Sequence, residues 1–304
     1  MSQPLAVMAH VTGGLFTSAE AIAAGHGDDE LQSWVRDGHV RRLQRGIFAV
    51  GHVPQYADGR LIERARALAR SRGDHIAISH HAALALHGIA THDVPLHTLY
   101  AVRLAGAAQS TPGVRLLRPR AAPSTVVVEG LRVVSPEVAV VQVAAAFGLH
   151  AGCVAADSGL HQGLITRPDL RDEVEHAGAI PGISRARMVT LTCRSGAESP
   201  GETLLRLTVE RLGYRTETQC AVAVANARPF AFADLRIVGT RGLLEFDGAL
   251  KYGGADGRQA LINEKAREDR IRSLGWHLER VVWRDFDDLP ELARRIQALA
   301  LRAT

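Results

Sequence analysis

The sequence predicts an α+β protein built from more than one domain. A chain of 304 residues is long for a single hydrophobic core and comfortable for two or three. Helix-period and strand-period apolar patterns both recur along it, with Gly- and Pro-containing breaks between them. At 46% apolar and 22% charged residues the composition is that of a globular chain and not of a disordered one.

The first fifty residues read as three short helices and a β-ribbon. Pro4 to His10 is a short apolar helix; Thr17 or Ser18 caps a second, which runs through Glu20 to a Gly25 stop. A third begins near Asp28. Its Leu31, Trp34 and Val35 recur at helical spacing and face a core, which leaves Gln32, Ser33 and Arg36 pointing outward. Val40 to Val50 then alternates around an Arg45-Gly46 turn and makes a two-stranded wing carrying Arg41, Arg42 and Arg45. Together these describe a winged helix-turn-helix over residues 1–55, with Gln32, Ser33 and Arg36 aimed at a DNA groove and the wing arginines at phosphate.

Residues 56–180 form a mixed α/β middle region. An Arg-rich helix from Arg60 to Arg72 leads to a second helix over Ser79 to His87, ended by Gly88. Alternating runs at Leu99 to Leu104, Val114 to Leu117 and Val126 to Val134 predict an antiparallel sheet. Ser135-Pro136 opens a long apolar helix to Phe147, and further helices cover Cys153 to Gln162 and Arg167 to His176. Five histidines lie between His80 and His97, but their spacing matches no ligand set, so packing and capping roles are expected of them. Gly178 to Gly196, containing Pro181-Gly182, is the expected boundary before a last domain over residues 195–304.

In that last domain Ser199-Pro200-Gly201-Glu202 opens a helix, Ser199 and Glu202 having capping-box spacing. A strand over Tyr214 to Val224 follows, then two apolar runs around Gly239-Thr240-Arg241-Gly242 that predict a β-hairpin with Val238 opposite Leu243. That register places Asp234 directly across from Asp247 and diagonal to Glu245. Two carboxylates about 5 Å apart repel by roughly 3 kcal/mol at an effective dielectric of 20, so a compensating cation is expected, and a hard divalent metal suits oxygen donors. A helix from about Gly257 to Leu274, a strand over Trp276 to Trp283 and a closing helix over Leu289 to Arg302 complete a mixed sheet flanked by helices.

Charge narrows the classes further. The formal net charge is +4, yet Val35 to Arg72 alone carries nine Arg against Asp37, Asp58 and Glu63, which points to a polyanion-binding N-terminal part. Lys occurs only at Lys251 and Lys265, both near the carboxylates. Cys153, Cys193 and Cys220 are few and widely spaced, which fits a reducing cytoplasm and excludes a disulfide framework. The longest apolar stretch, Val138 to Leu149, is too short to span a membrane, and no membrane partner is expected.

The set Ser199-Pro200-Gly201-Glu202, Gln219, Asp234, Glu245-Phe246-Asp247-Gly248, Lys251-Tyr252, Glu264 to Asp269 and Leu274-Gly275-Trp276 resembles the nuclease-like domain related to very-short-patch repair endonucleases, of the PD-(D/E)xK superfamily. The N-terminal half, with Arg45-Gly46-Ile47-Phe48 and Ser79-His80-His81-Ala82-Ala83, resembles the winged-helix antitoxin domain of abortive-infection type IV toxin–antitoxin systems, and the whole arrangement looks like that of many actinobacterial proteins. The first resemblance implies that Glu202 is a helix-borne acid, that Asp234 and Glu245 ligate Mg2+ or Mn2+, and that a Lys stands two residues after Glu245. Here that position is Asp247, so Lys251 or Lys265 would have to supply the cation. The expectation is a DNA-binding protein with a metal-dependent endonuclease domain. The alternative is an antitoxin-type regulator whose nuclease fold is inactive and whose partner is a nucleotidyltransferase-like toxin.

Overall fold

The computed structural model describes residues 6–7, 9–10, 13–224, 228–248 and 257–303, with side chains omitted for 257–261. It is mixed α+β, and its contacts divide into two compact units: Met1–Ile89, Asp93–Phe147 and Asp169–Ile183 in one, Ala90–His92, Gly148–Pro168 and Ser184–Thr304 in the other.

The first unit begins with strand β1 (Leu15–Thr17) and helix α1 (Ser18–Ala23). Thr17 caps α1 by accepting from the Glu20 N–H at 3.1 Å, while Glu20 reaches back to the Thr17 N–H at 2.7 Å. Helix α2 (Asp28–Arg36) starts with Asp28, Asp29 and Glu30, which suit the positive end of its dipole. Leu31, Trp34 and Val35 pack with Phe16, Val40 and Phe48, as their spacing predicts. β2 (Val40–Gln44) and β3 (Ile47–Val50) form the ribbon, turned at Arg45-Gly46 with Gly46 at φ 75°. β1 pairs with β3, giving the order β1-β3-β2. The ribbon's third strand is only three residues long, too short to show an alternation.

Helix α3 (Ala57–Arg72) precedes a six-stranded sheet made of β4 (Ile76–Ile78), β5 (Leu99–Arg103), β6 (Gln109–Thr111), β7 (Val114–Leu117), β8 (Thr125–Val128) and β9 (Leu131–Val134). Its order is β6-β7-β5-β4-β9-β8. The sheet is mixed where an antiparallel one is expected from the sequence: β4 runs parallel to β9, and β5 parallel to β7. The cause is β4, whose three residues are all buried and enter the middle of the sheet, so that no alternating signal announces it. Helices α4 (His80–Leu86) and α5 (Pro136–Phe147) pack on each other. His80 and His81 are buried against Tyr100 and Phe147, with ring centroids 4.6 Å apart for His80 and Tyr100 and 5.5 Å for His81 and Phe147. His87 Nε2 meets the Val134 carbonyl at 2.8 Å. These are packing histidines.

The second unit opens with α6 (Leu149–His161) and the start of α7 (Arg167–Ala177), then continues through α8 (Ile183–Thr192) and α9 (Pro200–Arg211). α8 occupies the segment read from the sequence as a linker. Its buried Ala186 and Val189 give it a packed face, which the surrounding Gly and Pro residues conceal. α6 and α9 carry the fully buried pair Asp157–Arg206, 2.8 Å apart. The sheet is β10 (Thr216–Val222), β11 (Ala231–Ile237), β12 (Gly242–Asp247) and β13 (His277–Val282), in chain order. Only β12 and β13 are parallel, and α10 (Gly257–Ser273) connects them. α9 and α11 (Leu289–Arg302) bury Leu205, Val209, Ile296 and Leu299 against Leu235, Leu244 and Val281. Ile271 of α10 packs with Leu243 and Leu278. The three cysteines are buried and free. No helix among the described residues is long and apolar enough to cross a membrane.

Candidate functional site

The hairpin around residue 240 differs from its expected register. Leu235 pairs with Leu244 and Arg236 with Leu243, so Leu243 faces Arg236 and not Val238. The reason lies in the partners of the turn. Val238 N–H donates to the Arg215 carbonyl, Arg241 N–H donates to Ala303 at 2.7 Å, and the Arg241 carbonyl accepts from His277. None of these long-range bonds is visible in a local turn pattern. A shift of two residues preserves the face of every side chain and changes who faces whom. Asp234 therefore lies across from Glu245, with Asp247 next along.

The β11–β12 ladder stops after those two pairs. Beyond it Asp234 takes the place of a backbone acceptor: its Oδ2 accepts from the Phe246 N–H at 2.7 Å. The strands part at this point, and a cavity of about 470 Å3 opens, lined by Asp234, Glu245, Asp247, Glu264, Arg267 and Arg280 together with Phe232 and Phe246. On β10 the position facing Asp234 is Gln219, which holds a left-handed φ of 51° between two paired neighbours. A non-glycine residue held there is strained, and such strain clusters at functional sites.

Glu202 sits at the start of α9. Ser199 Oγ accepts from its N–H at 3.3 Å, and its carboxylate accepts from Ser199 Oγ and the Glu198 N–H, both at 2.8 Å, so the capping role read from the sequence is real. Glu202 nevertheless lies close enough to act on Asp234. Burial, then the charges of Glu202, Glu245 and Glu198, push the Asp234 carboxyl up to about 7, against the pull of the Phe246 hydrogen bond. Gly201 lets the start of α9 lie against β12: a Cβ there would lie 2.0 Å from the Phe246 ring.

The cations of the cavity are not the expected ones. Lys251 lies outside the described residues, and Lys265 is exposed on α10 and does not line the cavity. Arg267 and Arg280 stand there instead. Arg267 Nη2 donates to both oxygens of Glu245 at 2.8 Å, and its Nε donates to Glu264 at 2.9 Å. Arg280, the β13 residue in register with Glu245, pairs with Glu264 and stands 3.8 Å from Glu245. The Glu264 hydrogen bond is the largest influence raising the Arg267 pKa, and the same bond holds Glu264 below its ordinary value. The signal for these residues was present in the Glu264–Arg267 spacing of one helical turn and in the strand position of Arg280, but it becomes readable only once β12 and β13 are known to be parallel.

Among the described residues no group of three or more His, Cys, Asp and Glu side chains is placed to hold a metal ion. Asp234 and Glu245 nevertheless supply hard oxygen donors. That fits magnesium, which is commonly held by one or two carboxylates with substrate phosphate completing the shell, rather than by an all-protein cage.

In the first unit, Gln32 and Arg36 are exposed on α2, and Ser33 Oγ donates to Asp37 at 3.0 Å. Arg42 and Arg45 are exposed on the ribbon, Arg42 lying 5.9 Å over the Phe48 ring. Arg41 differs. Its guanidinium donates to Glu63 through both terminal nitrogens and to the carbonyls of Gly51 and His52, and so ties the ribbon to α3. Arg60, Arg64, Arg66 and Arg70 are likewise bonded within the unit, to Pro54 and Gln55, to His97 and Gly113, to Glu129 and to Glu20. Much of the basic run thus serves the fold, and Arg36, Arg42, Arg45 and Arg72 are its exposed charges, with no carboxylate paired to them among the described residues.

No family model matches the chain, and no curated protein is detectably similar to it.

Proposed function

We propose that the second unit hydrolyses phosphodiester bonds in DNA with a bound divalent metal, Mg2+ or Mn2+, and that the first unit holds the DNA through a winged helix-turn-helix. The observation that supports this reading is the parting of β11 and β12 at Asp234 and Glu245, which opens two facing carboxylates into a cavity whose other side carries Arg267 and Arg280. The helix-flanked mixed sheet with acids at this position supports the PD-(D/E)xK reading that the sequence resemblance implies.

Asp234 and Glu245 would hold the metal, with Asp247 beside them and Glu202 raising the negative field. When bound, the metal supplies Lewis-acid stabilisation of the phosphoryl oxygens and lowers the pKa of its water. Arg267 and Arg280 offer guanidinium forks to the phosphate, the role that the superfamily gives to a Lys. For this Arg267 must exchange its hold on Glu245 for one on substrate. In the first unit, Arg36, Arg42 and Arg45 are free to meet phosphate, and Gln32 to meet a base edge; Ser33 and Arg41 would act from behind, through Asp37 and Glu63.

A second reading has its own support. Glu245 already has both oxygens paired with Arg267, and an acid stands at 247, so the same chain also suits a cytoplasmic antitoxin-type regulator with an inactive nuclease fold and a nucleotidyltransferase-like toxin as partner. The test incubates the purified protein with plasmid and single-stranded DNA in Mg2+ or Mn2+, beside Asp234→Asn and Glu245→Gln. The enzyme reading expects cleavage by the wild type and losses on the order of 100-fold or more in each variant. Equal trace cleavage in all three samples sinks it and leaves the regulator.

A further inference from the structure

We propose that a cavity in the first unit, between α3 and the β8–β9 turn, binds a phosphate group through Arg66, Arg70 and Arg132. The cavity has a volume of about 630 Å3, in the range of small-ligand sites and enough for a nucleotide. Arg66 and Arg70 are one helical turn apart and project from the same side of α3, joined along that face by Ala69 and Gly73; Arg132 enters from β9. Like charges at that spacing repel, and each is offset here by a single carboxylate, Glu129 for Arg66 and Glu20 for Arg70.

Two features mark this as more than a set of surface ion pairs. The Nε–H groups of Arg70 and Arg132 are buried and have no hydrogen-bond partner. Buried donors are almost always satisfied, so two unsatisfied guanidinium N–H groups among the residues lining one cavity set these side chains apart from ordinary ion pairs. The carboxylates that line the cavity are also poor permanent partners. Asp74, 3.3 Å from Arg132, is 90% exposed, and Glu129, paired with Arg66, is 58% exposed. Both are well hydrated and easily displaced. Gly13, at φ 68°, completes the wall: a Cβ there would come within 2.9 Å of Arg66 Nη1, so a glycine leaves the guanidinium its place.

Three guanidinium groups around one space suit the several oxygens of a phosphate, because each planar fork can offer paired N–H donors. The phosphate can come from a free nucleotide or from a nucleic-acid backbone. The inference does not depend on the phosphodiesterase reading, and its test is run in EDTA, so that the two fail separately.

Inorganic phosphate and adenosine monophosphate are titrated calorimetrically into the full-length protein, and a labelled DNA duplex is followed by anisotropy over a salt series. The same titrations are repeated with Arg132→Gln and Asp74→Ala. A free-ligand site predicts that phosphate and the nucleotide bind, at least tenfold more weakly in Arg132→Gln and several-fold more tightly in Asp74→Ala. A backbone site predicts that only the duplex responds to the two variants, with the salt slope of Arg132→Gln reduced by about one. Asp74→Ala removes an exposed side chain and decides the matter even if Arg132→Gln fails to fold. Absence of binding to all three probes, or binding indifferent to Asp74→Ala, overturns the proposal.

Discussion

Replacing Gly201 with Ala should damage the candidate site without touching a carboxylate. An ideal Cβ at 201 lies 2.0 Å from Phe246 Cε1 and 2.3 Å from Cδ1 and Cζ, whereas ordinary contact begins near 3.4 Å, so the ring must retreat by more than an ångström. Its retreat is obstructed. Trp283 stands edge-on at 5.0 Å and Phe286 at 5.9 Å, and Phe246 also packs against the core shared by α9, α11 and the sheet. Overpacking of this kind costs about 1–3 kcal/mol. Because Glu245 and Asp247 flank Phe246 on β12, the shift also moves the carboxylates relative to Asp234. Tryptophan fluorescence during guanidinium denaturation measures the loss, Trp283 reporting the displaced ring directly. The double variant Gly201→Ala/Phe246→Leu should recover much of it, since a smaller side chain accepts the methyl, and the cycle should show a coupling of about 1 kcal/mol or more. A Gly201→Ala protein as stable as the wild type, or a double variant whose losses simply add, would refute the argument from close approach.

Two further outcomes concern stability. Burial holds the His81 pKa down to about 4 and that of His80 to about 3, against 6.5 in the unfolded chain. Below pH 6.5 the unfolded state therefore binds more protons, and stability falls as pH falls. The loss approaches about 2 kcal/mol per histidine between pH 6.5 and 5, read from denaturation followed by circular dichroism; a His81→Gln variant as acid-sensitive as the wild type would exclude His81 as a source. Asp157→Ala should cost about 3 kcal/mol, because it removes one of the two carboxylates paired with Arg206, which is 0% exposed and keeps Glu210 at 2.9 Å, and removes acceptors for Thr203 Oγ1 at 3.0 Å and the Arg194 N–H at 2.7 Å. A loss below about 1 kcal/mol would show that Arg206 finds other compensation.

Local chemistry was legible in the sequence where the determining partners are themselves local. Thr17 with Glu20, Ser199 with Glu202, and the Leu31, Trp34 and Val35 stripe all interact within a turn or two of helix, and each stands where its spacing places it. Asp234 and Glu245 stand out in the sequence for a similar reason, being acids in apolar strands, and the structure brings them to one cavity. What escaped was decided at a distance. The hairpin register depends on Ala303 and His277, the central position of β4 on strands some twenty and fifty residues away, and the fate of Arg41 on Glu63. A count of arginines shows positive charge, and only the fold shows that much of it is spent on carbonyls and carboxylates inside the same unit.

The hydrogen bond from the Phe246 N–H to Asp234 gives residue 234 a structural duty whatever the cavity does. Asp234 closes the strand edge that β12 exposes once its ladder with β11 ends. A residue without an acceptor there would leave an unpaired edge open to association with other chains. Asp or Asn is thus favoured at 234 by solubility alone. Glu245 carries no such duty, its oxygens being bonded to Arg267 rather than to backbone, so the residue at 245 bears more directly than the one at 234 on the proposed chemistry.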